Sequence, residues 1–485
     1  MNRKVGSIKK NAILNVIYTI TNMVFPLITY PYVTRILFSS GMGKVSFFTS
    51  VSNYAVMIGS LGIGTYGIRA VAKVRDDEKD LSDVASELLI INTVITAIVV
   101  GLLLLSSMFV EKFSSEPILF FINIIIVAAA PFGMNWLYSG LEQYAYMTKR
   151  TILFKVLSLG LVFLLVKKKS DYPTYAAITA FSTVGAYVCN LLYSRHFFCF
   201  HISKTFNYKR HYKPMLLLFG SILAVSVYTN LDTIMLGFIN GDVEVGLYSV
   251  ASKSKWLLLS AVNAVSAVLL PRLSNYISQN DIVKYNDTLK KSISFIFIIT
   301  IPISLFFIIE SPDTIGILGG PDYKGAIPGM QILMPILMIS GFSNVTGNQI
   351  LIPHGRDSFF LKAVSIGAVA DIFLNSALMP SMGCTGASIA TLVAEFIQMS
   401  VQVYYSRSEL KRNIHMKPIA KALIGGVISC VLTIVIRRII NFNVLFSFII
   451  SGSVFFITYG IILLFLKEEY SMEMMQTVVK KLKHL

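Results

Sequence analysis

The sequence predicts an all-α polytopic membrane protein: about 14 transmembrane helices in two pseudo-symmetric six-helix bundles plus two C-terminal helices. Three observations predict it. Apolar stretches of bilayer-spanning length follow one another along 485 residues, separated by short polar loops. The composition is 55% hydrophobic and only 14% charged, and the mean hydropathy is +0.69, outside the range of ordinary soluble domains. A short pattern near residue 38 returns about 200 residues later. Hydrocarbon offers no partner to an open strand edge, so segments this long and apolar are helices.

Taken in order, the first six predicted spans are Asn11 to Val33, Gly43 to Ile68, Val84 to Ser106, Pro117 to Ser139, Thr151 to Val166 and Thr174 to Tyr193. The second six are Met215 to Ile239, Gly246 to Leu270, Ser292 to Ile309, Gly329 to Ile350, Phe359 to Met379 and Gly386 to Tyr405. Two more run from Ala420 to Ile436 and from Leu445 to Phe465. The basic start is followed by Pro26 and Pro31 without a small-residue cleavage site, which reads as an uncleaved first helix.

With the N-terminus inside, about 30 of the 42 Lys and Arg fall in cytoplasmic segments, about 9 outside and about 3 within spans. Both termini are therefore expected in the cytoplasm. Strong markers are Arg3, Lys4, Lys9 and Lys10, then Lys204, Lys209, Arg210 and Lys213, then Lys411, Arg412, Lys417 and Lys421. Lys167, Lys168 and Lys169 dissent, either as a local exception or through a miscounted span between Thr151 and Tyr193; the fit of every later loop favours the exception. The net charge of +17 is then a topology signal facing anionic lipid. Basic residues dispersed over many loops do not make a nucleic-acid surface, so no nucleic-acid partner is expected.

Cys189, Cys199, Cys384 and Cys430 show no paired spacing and read as small apolar residues. His196, His201 and His354 share no metal-ligand pattern, so no metal site and no cofactor are expected. Gly62, Gly64 and Gly67 lie at the end of an apolar span without a βαβ context, which favours helix packing over phosphate binding.

The segment Thr34 to Ser52 aligns with Ile234 to Ser252, matching Phe38 to Phe238, Gly41 to Gly241 and Val45 to Val245. In both copies a helix ends, a Gly-containing turn follows and a long helix begins. Helices one and two thus correspond to seven and eight, in parallel repeats about an axis along the membrane normal. The predicted organisation is an N-terminal bundle over 1–205, a second bundle over 206–410, and two further helices with a cytoplasmic tail over 411–485. The natural substrate path of such a pair is the cleft between the bundles.

Several segments carry a family resemblance across nearly the whole chain. They are Asn135 to Glu142 (NWLYSGLE), Asp232 to Gly237 (DTIMLG), Gly320 to Pro328 (GPDYKGAIP), Leu351 to Arg356 (LIPHGR), Asn375 to Pro380 and Gly383 to Thr391. In this order they resemble the polysaccharide transport family of the multidrug, oligosaccharidyl-lipid and polysaccharide exporter superfamily, most nearly a Wzx-type O-antigen or capsule repeat-unit flippase. The resemblance implies movement of an undecaprenyl-diphosphate-linked oligosaccharide to the outer leaflet of a bacterial cytoplasmic membrane. It also implies the polysaccharide polymerase machinery as a partner, and a groove for the lipid tail beside spans 13 and 14.

Ionisable residues inside spans cost about 2.5–3.5 kcal/mol each and mark candidate sites. Asp232 in span seven and Lys253 in span eight lie at similar depth from the turn at Asn240 and are expected to be able to pair. Lys253 is the leading candidate for holding the substrate diphosphate. Lys255 stands about 200° around the helix from it, for substrate contact, for a second network, or snorkelling to the interface. Arg35, near the outer end of span one, reads either as a substrate contact or as an interface anchor, and Lys155 reads as an anchor. Asp371 and Glu395 flank the connection at Met382 at similar distances, near the midplane. As a pair they are candidates for binding a coupling ion, H⁺ or Na⁺, against the alternative of neutral structural carboxyls. Asn11, Asn15, Asn22, Asn53, Asn230, Asn263 and Asn344, with Tyr30, Tyr32, Tyr54 and Tyr228, are expected to line a sugar path or simply to join helices.

Outer loops of about five to fifteen residues leave no room for the large loop expected of a polymerase, so an enzyme is not expected. An ion-coupled multidrug exporter of the same superfamily is the nearer rival. Fourteen spans rather than twelve favour the flippase.

Overall fold

The computed structural model describes residues 8–201, 209–439, 443–469 and 471–472, and among them all regular structure is helical. The chain divides into two compact units, Met1–Gly246 and Leu247–Leu485.

In the first unit α1 (Ile8–Ser60) is broken at Phe38, whose φ of 58° and ψ of 177° are not helical. An unbroken helix of its 53 residues would be about 80 Å long, far beyond a hydrocarbon core of about 30 Å. The break falls at the turn predicted between the first two spans. The second span ends sooner than Ile68, because Leu61 and Gly62 turn the chain at positive φ and α2 (Ile63–Val74) starts afresh. A Cβ on Gly62 would lie 2.8 Å from the Met215 carbonyl oxygen, and one on Gly67 would meet the Trp136 ring at 3.0 Å. Gly62 is thus a turn residue and Gly67 a packing residue.

Asp77 caps α3 (Glu78–Ser106), accepting from the Lys79 and Asp80 backbone N–H groups at 2.8 and 2.9 Å. A one-turn helix, α4 (Glu111–Ser114), leads to α5 (Pro117–Ala129), a 3₁₀ turn over Ala130–Gly133 and α6 (Asn135–Gly140). The helices α7 (Tyr144–Leu165), α8 (Tyr172–Ser194) and α9 (Lys209–Ile239) complete the unit. The Lys167 to Lys169 connection between α7 and α8 is short, so no span was missed there. Asp171 accepts from the backbone N–H groups of Lys167 and Lys168, and Lys169 lies over the Phe38 ring.

The division at Gly246 lies later than the boundary predicted at 205, because α9 packs on α1 and α2 within the first unit. Phe238 meets Phe47 edge to face at 5.1 Å, and Gly237 lets Phe47 approach its backbone. The two turns matched in the sequence touch: a Cβ on Gly43 would fall 1.7 Å from the Asp242 carbonyl oxygen, and one on Gly246 would fall 2.0 Å from that of Ser39.

Most of α10 (Asp242–Ser278) belongs to the second unit, followed by α11 (Ile282–Ile309), α12 (Ser311–Leu318), α13 (Ala326–Leu333) and α14 (Ile336–Asn344). A π-helical turn, Val345–Leu351, then leads toward α15 (Asp357–Tyr405), broken at Gly383, where φ is 52°. After α16 (Arg407–Asn413) come α17 (Met416–Ile439) and α18 (Val444–Phe465). These last two belong to the second unit rather than to a segment of their own, since α17 runs along α11 and α18 along α12. Phe306 packs among Phe448, Phe455 and Phe456 at 5.3–5.5 Å. Among the described residues nine helical stretches are long and apolar enough to cross a membrane, and two of them, Phe25–Val74 and Asp357–Tyr405, contain the breaks at Phe38 and Gly383.

Candidate functional site

The buried polarity of the second unit gathers on one stripe of α15. Ser388, Thr391, Glu395, Gln398 and Gln402 recur at alternating steps of three and four, one helical face, and all are buried. Gly367 fixes the opposing half of α15, since a Cβ there would meet Gln398 Cβ at 3.0 Å and the Ala394 oxygen at 3.3 Å. Counting one turn on from Gly367 puts Asp371, fully buried, level with Glu395. The two carboxylates therefore lie level with each other on the two halves of α15, equally far from the break at Gly383.

The charge that bears on Glu395, however, is that of Lys255. The helix α10 meets the stripe where the Tyr248 hydroxyl lies 3.1 Å from Thr391 Oγ1, and Lys255, about two turns further on, is the cation whose charge acts on Glu395 one turn beyond Thr391. Lys253 points elsewhere, with its ammonium 5.1 Å from the centroid of the Trp256 ring.

Below Glu395 the stripe is closed by hydrogen bonds. Gln402 Oε1 accepts from Ser343 Oγ at 2.9 Å and from Thr346 Oγ1 at 2.7 Å, and Gln398 Nε2 donates to Ser343 Oγ at 3.4 Å. Thr346 sits in the π-helical turn, a backbone irregularity of a kind found often at functional sites. Asn344 donates to Asn263 Oδ1 at 2.5 Å, joining α14 to α10.

In the first unit Asp232 is buried on α9, whereas Arg35 is exposed and donates to the Pro31 carbonyl at 2.7 Å. Asp232 belongs to this unit and Lys253 to the other. Lys155 lies over the Phe25 ring at 5.1 Å, Tyr32 donates to Val166 O at 3.0 Å and Tyr54 to Ser226 O at 2.7 Å. The side chains of Asn11, Asn15, Asn22, Tyr228 and Asn230 lie outside the described residues.

Two networks of the first unit had no counterpart in the sequence reading. At one end, Lys112 donates to the Gly237 carbonyl and pairs with Asp242 at 2.9 Å, strapping the end of α9 to the start of α10, while Lys44 pairs with Glu116. At the other end, buried Glu87 Oε2 receives Arg210 Nη2 at 2.7 Å and His211 Nε2 at 2.6 Å, and the Tyr66 hydroxyl lies 2.8 Å from His211 Nδ1. Burial holds the His211 pKa below its ordinary value, against the pull of Glu87. Arg210 already compensates the carboxylate, so a neutral His211 can donate from Nε2 to Glu87 and accept from the Tyr66 hydroxyl at Nδ1. The signal for this network was Glu87 itself, a carboxylate inside predicted span three. Among the described residues no group of three or more His, Cys, Asp and Glu side chains is placed to hold a metal ion.

The family described as polysaccharide biosynthesis protein matches residues 8–277, and the MatE family matches residues 218–377. The "Putative O-antigen transporter" of Escherichia coli (strain K12) is 24% identical over 412 residues, which cover 84% of this chain and 99% of that protein. The structure of the lipid II flippase MurJ in an inward closed conformation superposes with a TM-score of 0.73 at 14% identity, covering 92% of this chain and 98% of the other. An inward-facing multidrug resistance MATE family transporter superposes with a TM-score of 0.60 at 15% identity, covering 81% and 94%. These likenesses establish a polytopic membrane fold shared with both.

Proposed function

Because the chain belongs to the polysaccharide biosynthesis protein family, we propose that it is a flippase that carries an undecaprenyl-diphosphate-linked oligosaccharide from the inner to the outer leaflet of the bacterial cytoplasmic membrane. Both termini face the cytoplasm in this reading, which the Lys and Arg distribution supports. Transport proceeds by alternating access, driven by H⁺ or Na⁺. The observation that carries the mechanism is the buried stripe of α15, where Glu395 faces Lys255 and lies level with Asp371. A carboxylate at that depth with one cation beside it can exchange its partner for a proton or Na⁺, and the exchange frees Lys255. Lys255 is therefore assigned to the coupling group with Asp371, Glu395 and Asp232, and Lys253 and Arg35 to the substrate anion. The polymerase machinery that receives the flipped unit is the expected partner.

The test is export of surface polysaccharide by cells lacking their own flippase, expressing wild type, Lys253→Ala or Glu395→Gln at matched membrane levels. Restored polymer with wild type and loss with both variants supports flippase and site together. Restoration by all three keeps the function and removes the site. A multidrug exporter is the second reading, favoured by the MatE match over residues 218–377. Resistance to cationic dyes without restored polymer would establish it.

A further inference from the structure

Arg150, on the second turn of α7, is 92% buried, being 8% exposed, yet every side-chain oxygen it bonds is neutral. Its Nη1 donates to Asn190 Oδ1, its Nη2 lies 3.5 Å from Asn135 Oδ1 and 3.4 Å from Thr151 Oγ1, and the guanidinium sits 5.9 Å from the Tyr146 ring centroid. The nearest acidic residue along the chain, Glu142, pairs with Arg75 at 2.7 Å. The undescribed residues and side chains of this unit include no Asp or Glu, so no hidden carboxylate compensates Arg150.

A buried cation without a counter-charge is costly, and neutral oxygens offset only part of that cost. Structural bracing does not need the charge: Asn190 itself ties α8 to the 3₁₀ turn, donating to the Gly133 carbonyl and accepting the Tyr138 hydroxyl at its own carbonyl. Arg150 Nε and the Tyr146 hydroxyl are both buried without a full hydrogen bond, and the guanidinium lies close enough to act on the hydroxyl. Tyr146 is held in place by stacking on Tyr193 at 4.0 Å. Arg150 also immediately precedes the predicted fifth span, and that expectation puts it near the level of bilayer phosphate groups.

We infer that Arg150 and the Tyr146 hydroxyl form an anion site in the first unit that takes a phosphate ester, from either the diphosphate of a lipid-linked substrate or the headgroup of a bilayer phospholipid. The first source rests on the flippase reading; the site does not. The site belongs to the first unit and Lys253 to the second.

The test is a tryptophan-fluorescence titration of the purified full chain with geranyl diphosphate and, separately, with a short-chain phosphatidylglycerol. Trp136, the neighbour of Asn135, supplies the signal. Saturable binding to wild type that weakens about tenfold or more in Arg150→Gln and is partly kept in Arg150→Lys is expected, as for loss of a charge-assisted bond. Saturation by the diphosphate alone identifies the substrate source, and saturation by phosphatidylglycerol as well identifies the bilayer source. If Arg150→Gln does not fold, Tyr146→Phe keeps the stacking and still weakens binding several-fold. Binding to the folded variants as tight as to wild type, or none to wild type, overturns the site. A chain that binds geranyl diphosphate at Arg150 but restores no polymer keeps the site and overturns the flippase reading.

Discussion

Glu87→Gln removes the charge at the centre of the Tyr66, His211 and Arg210 network and nothing else of comparable size. The bond from His211 joins side chains 2% and 3% exposed, and such a bond to a charged acceptor is worth about 1.5–3 kcal/mol. The Arg210 side chain is 44% exposed, so screening holds its pair to about 0.5–1 kcal/mol. The glutamine oxygen still accepts from one of the two, returning about 1 kcal/mol. The net loss is about 2 kcal/mol. For a unit of this size that lowers the midpoint of thermal unfolding by roughly 4–8 °C, read by tryptophan fluorescence in detergent. Trp136 lies in the same apolar cluster as Leu88 and Met215, so its emission follows the affected helices. In a double-mutant cycle with His211→Phe the two losses should fall short of their sum by about 1 kcal/mol or more. A Glu87→Gln protein that melts within about 1 °C of wild type would refute the argument.

Burial lowers the His211 pKa in the folded protein, so the unfolded chain binds the extra proton as pH falls through about 6.5. Stability is therefore full above that value and declines below it, by at most about 1.4 kcal/mol at pH 5.5, a decline that His211→Gln should remove from the melting curves. Lys255→Met strands Glu395, at a cost capped near 3.7 kcal/mol at pH 7 because the carboxyl can instead take a proton; Lys255→Met with Glu395→Gln should recover most of that loss in the same assay. Gly43→Ala drives a methyl into the Asp242 carbonyl and should abolish folded protein in size-exclusion profiles, whereas Gly64→Ala, with nothing within 4 Å, should be neutral or stabilising by up to about 1 kcal/mol.

Hydropathy made the spans legible because lipid imposes one requirement on every residue of a crossing helix. Spacing along α15 was legible too, since Asp371 and Glu395 stand equally far from the break at Gly383. Azimuth was not. Whether Glu395 faces Asp371 or Lys255 depends on how α10 lies against α15, and residues 140 positions apart leave no mark of that in spacing. The early end of the second span was missed because Leu61 carries no turn signal, although Gly62 does. The Glu87 and Arg150 networks escaped for another reason. Glu87 lies in the first turn of predicted span three and Arg150 just before span five, where a charge looks solvated until the packing of α9 or α8 encloses it.

The breaks at Phe38 and Gly383 also bear on biogenesis. Each joins two helical halves through a single non-helical residue, leaving no loop to be threaded across the membrane afterwards. Such a hairpin is expected to enter the bilayer as one object, both arms together. A charge that strands one arm of α15 during synthesis would hold back the other, so defects there should appear as degraded nascent chain rather than as a mature but inactive protein.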